Sequence, residues 1–223
     1  MTPTSARAVL AVPCGPATVE GILDWPLGAT AVVLFAHGGG PGPLSQRDYF
    51  IARELCADGL AALRFDLLSE GERADPARRF GIGLLADRLG AAVRFVGRQA
   101  PEAVSAGLLG TGPGAAAALR VAAALPEAIG AVVSCGGRPD LAGDDALARV
   151  RAPTLLIAGA EDHGVLGLND TVYRKLTCTK ALEIVPQATH RFAEPGALEE
   201  LSRLAVAWFD RCFGPPPTTG RAR

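Results

Sequence analysis

Aromatic side chains are scarce in this 223-residue chain, at 5% of the total. Trp25, Trp208, Tyr49 and Tyr173 are too few and too scattered to cage a ligand, so each is expected in packing. Charge of one sign is lacking too. The 22 Lys+Arg stand against 23 Asp+Glu, a net −1 at pH 7, and no broad basic field exists to hold a nucleic-acid backbone. No stretch approaches the roughly 20 apolar residues of a membrane span, because charges or proline interrupt every candidate. Nucleic acid and membrane are therefore not expected partners. The five cysteines, Cys14, Cys56, Cys135, Cys178 and Cys212, form no CxxC pair. An odd, scattered set is neither a disulfide framework nor a structural zinc site, and a reducing, cytoplasmic setting is expected. The first residues, MTPTSARAVLAVPCGP, hold a short apolar run that soon meets Pro13 and Pro16, a poor signal peptide.

What the chain does have is apolar material: 49% hydrophobic residues and a mean hydropathy of +0.24. That suffices for a substantial core, and the length suits a single domain over residues 1–213. The last ten residues, GPPPTTGRAR, are proline-rich with no apolar payload, so 214–223 is expected to be a disordered tail. No internal repeat is present.

Strand-like and helix-like patterns alternate along the chain. Residues 6–13 and Val19–Trp25 predict two edge strands around a Cys14–Gly15–Pro16 turn. ATAVVLFAHGGG (29–40) is an uninterrupted β-branched and aromatic run ending in His37 and three glycines, the pattern of a parallel strand buried on both faces. A helix over 46–58 follows, with Phe50, Ile51 and Leu55 at helical spacing, then a strand over 60–66. LSEGERADPARRFG predicts a charged, solvated loop, in which Glu70 is a candidate to reach the mouth of a cleft. Then come helix 82–99, strand 105–110, helix 115–126, strand 129–134, strand 153–159, helix 167–176, strand 181–186 and a last helix over 194–213. Such alternation predicts an α/β fold: a three-layer sandwich around a mostly parallel sheet of seven to eight strands, without a large cap domain.

Ligands of such sheets bind outside the carboxyl ends of the strands. The residues placed there are His37–Gly40, Asp66, Gly110–Gly114, Cys135, Asp162 and His190. Asp162 and His190 suit acid–base work, an aspartate on one loop orienting an imidazole on a later one. The competing reading has Asp162 cap the next helix and His190 merely fill a loop. A metal site is not supported, since no third ligand stands at suitable spacing, and GTGPG lacks both the GK[ST] ending of a phosphate loop and the full GxGxxG pattern. No cofactor is expected.

Several segments together resemble the α/β-hydrolase superfamily, in particular its small dienelactone-hydrolase-like branch. VVLFAHGGG resembles the oxyanion-loop segment and LAALRFDLLSEGE the next strand with its acidic loop. LLGTGPGAAAALRVA is similar to the nucleophile elbow, RAPTLLIAGAEDHGVLGLN to the acid-bearing segment, and LEIVPQATHRFAEPGALEELSRLAVAWF to the histidine segment and final helix. The likeness runs from residue 6 to about 213. It implies an elbow G-x-S-x-G, but the aligned residues are Gly110, Thr111, Gly112, Pro113 and Gly114. Gly112 stands where the resemblance calls for serine. Pro113 follows, with no N–H to give to an oxyanion.

The neighbouring candidates read as follows. Thr111 carries a hydroxyl, but the strand-to-helix bend is expected to point it away from His190. Cys135 reads as a small buried hydrophobe, the alternative being a thiol facing the cleft. The resemblance gives His37 a structural role and Gly38, Gly39 and Gly40 a close backbone approach in the oxyanion loop. His163 is a candidate ligand contact without chemistry, and Arg138 faces either ligand or solvent. Three functions follow. The first is an α/β-hydrolase-fold enzyme whose His190–Asp162 pair performs general acid–base chemistry on a small molecule without serine acylation: hydrolysis, isomerisation, elimination or cyclisation. The second is a binding pseudoenzyme, and the third a serine hydrolase inactivated at position 112. A homodimer is left open.

Overall fold

The computed structural model describes residues 5–15, 17–37, 45–100 and 104–214. The expected tail beyond Gly214 and the glycines Gly38, Gly39 and Gly40 lie outside the described residues. Eight strands form one sheet: β1 (Ser5–Cys14), β2 (Ala17–Pro26), β3 (Ala31–His37), β4 (Ala61–Phe65), β5 (Ser105–Thr111), β6 (Ile129–Cys135), β7 (Thr154–Gly159) and β8 (Lys180–Val185). Their spatial order is β1-β2-β4-β3-β5-β6-β7-β8. β1 and β2 pair antiparallel, β2 meets β4 antiparallel, and every other pairing is parallel. The fold is the expected α/β sandwich, and among the described residues no large cap domain interrupts it.

Strand parity divides the core in two. Val32, Leu34 and Ala36 of β3 point to one face, packed under α4 (Ile82–Gln99) and α5 (Pro113–Ala124). Ala31, Val33 and Phe35 point to the other, under α1 (Gln46–Ala57) and α8 (Ala197–Phe213). Alternation of this kind follows from the two-residue period of a strand, and burial on both faces explains why β3 reads as a continuous apolar run. Trp208 lies in the second core as expected, but Tyr49 is exposed, with the Arg7 and Arg64 guanidinium groups 5.6 and 5.4 Å from its ring centre. A helix position facing solvent suits a tyrosine that offers its ring to cations.

Close approach at the central crossing depends on glycine. A Cβ on Gly114 would sit 2.0 Å from the Ala36 carbonyl oxygen, so α5 docks on β3 only because that position is bare. Gly114→Ala is expected to cost about 1–3 kcal/mol through overpacking, read as a lower urea midpoint at unchanged m-value.

The charged segment after β4 is not a loop. It folds into two single-turn helices, α2 (Glu70–Arg73) and α3 (Pro76–Arg79). Ser69 and Glu72 form a reciprocal capping box, and the Glu72 carboxylate also accepts from Arg88 on α4 at 2.6 and 2.8 Å. Arg88 falls with Leu85, Leu89 and Ala92 on the buried face of α4, so its guanidinium needs an internal anion. Arg73 pairs with Asp66. Most of the run is solvent-exposed as expected, but it is helical rather than a loop, and Glu72 within it is drawn to the buried Arg88. Hydrogen bonds from Arg88 and the Ser69 amide hold the Glu72 carboxyl down to about 2. A depressed folded-state value stabilises the protein above the ordinary carboxylate range and is lost as pH falls from about 4.5 towards 2. Glu72→Gln should cost about 1–3 kcal/mol near neutrality. It should also flatten the acid limb of a urea-stability profile in that window.

Two further short elements were not expected, a 3₁₀ turn at Pro139–Ala142 and α6 (Asp144–Arg149). Their few residues leave too short a window for a helical period to emerge. α7 (His163–Lys175) begins four residues earlier than its predicted start at 167, because Asp162 caps it.

Candidate active site

The elbow is present in the backbone. Gly112 has φ 50 and ψ −132, the sharp turn between β5 and α5, and Pro113 occupies the first helical position. A Cβ built on Gly112 would meet no heavy atom within 4 Å, so a side chain here would project into open space. His190 lines the same cleft, together with Pro113 and Gly136.

The loops carrying Asp162 and His190 are tied together at the rim. Glu161 N–H donates to the Ala188 carbonyl at 3.0 Å, and Ala160 N–H to that of Val185 at 3.0 Å. Beyond His190, Phe192 takes a left-handed backbone, φ 51, and buries its ring in the core. That strain persists because core burial holds the ring down. The Thr189 hydroxyl donates to Glu194 at 2.7 Å and closes the turn. His190 is thereby presented outward, with 58% of its side chain exposed, while Asp162 behind it is 19% exposed.

The separation between His190 Nδ1 and Asp162 Oδ2 is 3.6 Å. The other oxygen, Oδ1, accepts from the Val165 amide at 3.4 Å, so Asp162 is a helix cap as well as the imidazole's neighbour. The capping reading holds, and Asp162 also lies beside the imidazole. Oδ2 is buried without a hydrogen-bond partner, a cost that a donated Nδ1–H would relieve. Catalytic hydrogen bonds are often this long without substrate and tighten around it.

The remaining candidates separate clearly. Cys135 is fully buried on β6, its thiol pushed up to about 12 by burial, and it does not line the cleft. The small-hydrophobe reading holds; a thiolate facing ligand does not. His163 is exposed at the start of α7, away from the cleft lining. Arg138 is engaged by Asp140 through two 2.8 Å hydrogen bonds. The Thr111 hydroxyl lies 2.8 Å from His37 Nδ1 and lines the same cleft as His190. His37 Nε2 in turn lies 2.6 Å from Asp48 Oδ2, an ion-pair contact rather than an in-line hydrogen bond.

Asp48 was not singled out from the sequence. The signal was available, since Asp48 shares a helical face with Ile51, Ala52 and Leu55, and a carboxylate on a core-facing stripe needs a partner. Missed also were three arginines. Arg47, Arg79 and Arg191 line the cleft, and no acidic residue does among the described ones. The cleft is compact, about 260 Å³. A larger groove of about 630 Å³ lies between α4, α5 and α6, but among the described residues its lining holds no histidine, cysteine, serine or threonine. No group of residues suited to hold a metal occurs among the described ones, and no helix there is long and apolar enough to cross a membrane.

No family model matches the chain. A solved dienelactone hydrolase from Anabaena variabilis, however, is 41% identical, and the match covers 96% of this chain and 100% of that one with a TM-score of 0.87. The chain belongs to the dienelactone hydrolase family. Gly112 forms the sharp turn between β5 and α5 and carries no side-chain nucleophile. An esterase domain from Rhodothermus marinus, 22% identical with a TM-score of 0.73, covers 95% of this chain and 100% of its own and shows the same fold. A Mycobacterium tuberculosis protein named "Putative phosphoribosyl transferase" is 45% identical over 211 residues, 93% of this chain. This family member spans 47% of that protein's length.

Proposed function

We propose that this dienelactone hydrolase family member is an enzyme that hydrolyses a small anionic ester or lactone, with His190 as general base and Asp162 as its orienting partner. The observation that carries the reading is the meeting of His190, backed by the unpartnered Asp162 Oδ2, with the open space above Gly112 in an arginine-lined cleft. With Nδ1–H turned to Asp162, Nε2 keeps its lone pair. It takes a proton from water as the water oxygen bonds to the substrate carbonyl carbon, and later returns that proton to the departing oxygen. No acyl group is carried at position 112. Arg47, Arg79 and Arg191 favour a carboxylate or phosphate on the substrate, and the cleft's volume favours a compact one.

The transferase named for the mycobacterial relative describes a protein twice this length. The stretch in common has a hydrolase fold, so we assign hydrolase chemistry to it.

The test is turnover of paired ester, lactone and enone substrates, each with and without a carboxylate, by wild type and His190→Ala. Preference for the anionic member, lost turnover in the variant and gain of one water in the product support the reading. Equal rates in both proteins would sink it. A second reading, a binding pseudoenzyme, is favoured by the 3.6 Å gap between His190 and Asp162; saturable binding with unchanged ligand mass is its signature.

A further inference from the structure

One residue before Gly112, Thr111 carries a buried hydroxyl. β3 and β5 run parallel in a register that sets His37 beside Thr111. Both follow odd-numbered core residues, Phe35 and Leu109, so both point to the face covered by α1. Asp48, in the first turn of α1, reaches down to the same spot. Three polar side chains thus meet in sequence: Thr111 Oγ1, His37 Nδ1 at 2.8 Å, then His37 Nε2 and Asp48 Oδ2 at 2.6 Å. All three residues are buried, yet Thr111 and His37 still line the cleft that holds His190. With the ring proton on Nε2, the nitrogen beside the Asp48 carboxylate, Nδ1 would carry the lone pair and accept from the threonine hydroxyl. A hydroxyl paired to a base that a carboxylate orients is the arrangement that activates a nucleophile.

We propose that Thr111 is a nucleophile of this cleft, with His37 its general base and Asp48 the positioning residue for His37. The proposal rests on the reading of the cleft as a hydrolytic site and specifies what the water attacks. Thr111 Oγ bonds to the substrate carbonyl carbon as its proton passes to His37 Nδ1. The tetrahedral centre collapses, the carbon–oxygen bond to the leaving group breaks, and that oxygen takes the proton from His37. Water, deprotonated by His190, then attacks the acyl-threonine ester; the Thr111 oxygen leaves and recovers a proton from the His190 imidazolium. Each histidine serves one half of the cycle.

The experiment is labelling of the whole chain with a dialkyl fluorophosphonate, read by intact mass and peptide mapping. Oxygen bonds to phosphorus, fluoride leaves, and the proton goes to the base. The expected result is one label on Thr111 in wild type, Thr111→Ser and His190→Ala, and none in Thr111→Val or His37→Gln. His190→Ala incubated with an acyl ester should also accumulate acyl-Thr111, because deacylation is the half it loses. A cooperative urea transition in Thr111→Val separates lost chemistry from lost folding. No label at Thr111 in the wild type, or a label on Cys135 or elsewhere that persists in Thr111→Val, overturns the proposal. If that happens while His190→Ala still abolishes turnover, only the threonine assignment falls. If Thr111 is labelled but His190→Ala turns over substrate at the wild-type rate, it is the role of His190 that fails.

Discussion

Replacing His190 with alanine is expected to lower kcat by about 10²–10⁴-fold, the range attributed to a positioned general base. With water attacking the substrate directly KM should change little; with water attacking acyl-Thr111 it should fall together with kcat, because kcat/KM then reports acylation, which His37 serves. Stability should move by about 0.5 kcal/mol or less, because His190 is more than half exposed and its loop is held by Phe192 and Thr189. Asp162→Asn should follow with a loss of about 10²-fold or more. An amide facing Nδ1 can donate, which leaves Nδ1 as acceptor and puts the ring proton on Nε2, where the lone pair is needed. Its folding effect is separable, because Asn can still cap α7. Steady-state kinetics beside a urea titration read both quantities, and an Asp162→Asn protein with wild-type kcat would remove the aspartate from the mechanism.

The second large effect concerns the elbow. Gly112→Ser alone is expected to give little hydrolysis of a chromogenic ester, although the new side chain meets nothing within 4 Å. The limiting element is the next residue. In the elbow geometry, the backbone N–H after the nucleophile helps bind the tetrahedral oxyanion, and Pro113 has none. The double variant Gly112→Ser, Pro113→Ala should therefore exceed the single one by about 10²–10³-fold, the effect of one oxyanion donor. Both should lose about 1–3 kcal/mol of stability, since serine would inherit the φ of 50 that glycine adopts freely. If the single variant matches the double, the absent N–H is not what silences the elbow.

These two results probe what the residues already implied. The alternation of strands and helices was legible in the chain, because buried parallel strands and amphipathic helices impose periods that a linear text preserves, whereas the elbow, acid and histidine segments were implied only by the resemblance to hydrolases. The errors cluster where periodicity is too short or where partners are distant. α2, α3 and α6 are too brief to show a helical period, and the pairing of Glu72 was hidden because Arg88 lies sixteen residues beyond it. Cys135 was undecided until burial on β6 removed it from the cleft.

The sequence by itself determined the fold class, the absence of a side-chain nucleophile at position 112 and the absence of an N–H at 113, since each depends on local chemistry: strand composition, glycine's missing side chain, proline's missing N–H. Only the tertiary structure decided that Thr111, His37 and Asp48 meet. Their contact depends on the register of β3 with β5 and on the face that α1 covers, quantities set by packing between segments far apart in the chain. The cationic lining of the cleft belongs to the same class. Arg47, Arg79 and Arg191 come from three separate segments and share a surface only because the sheet's order brings those segments to one rim.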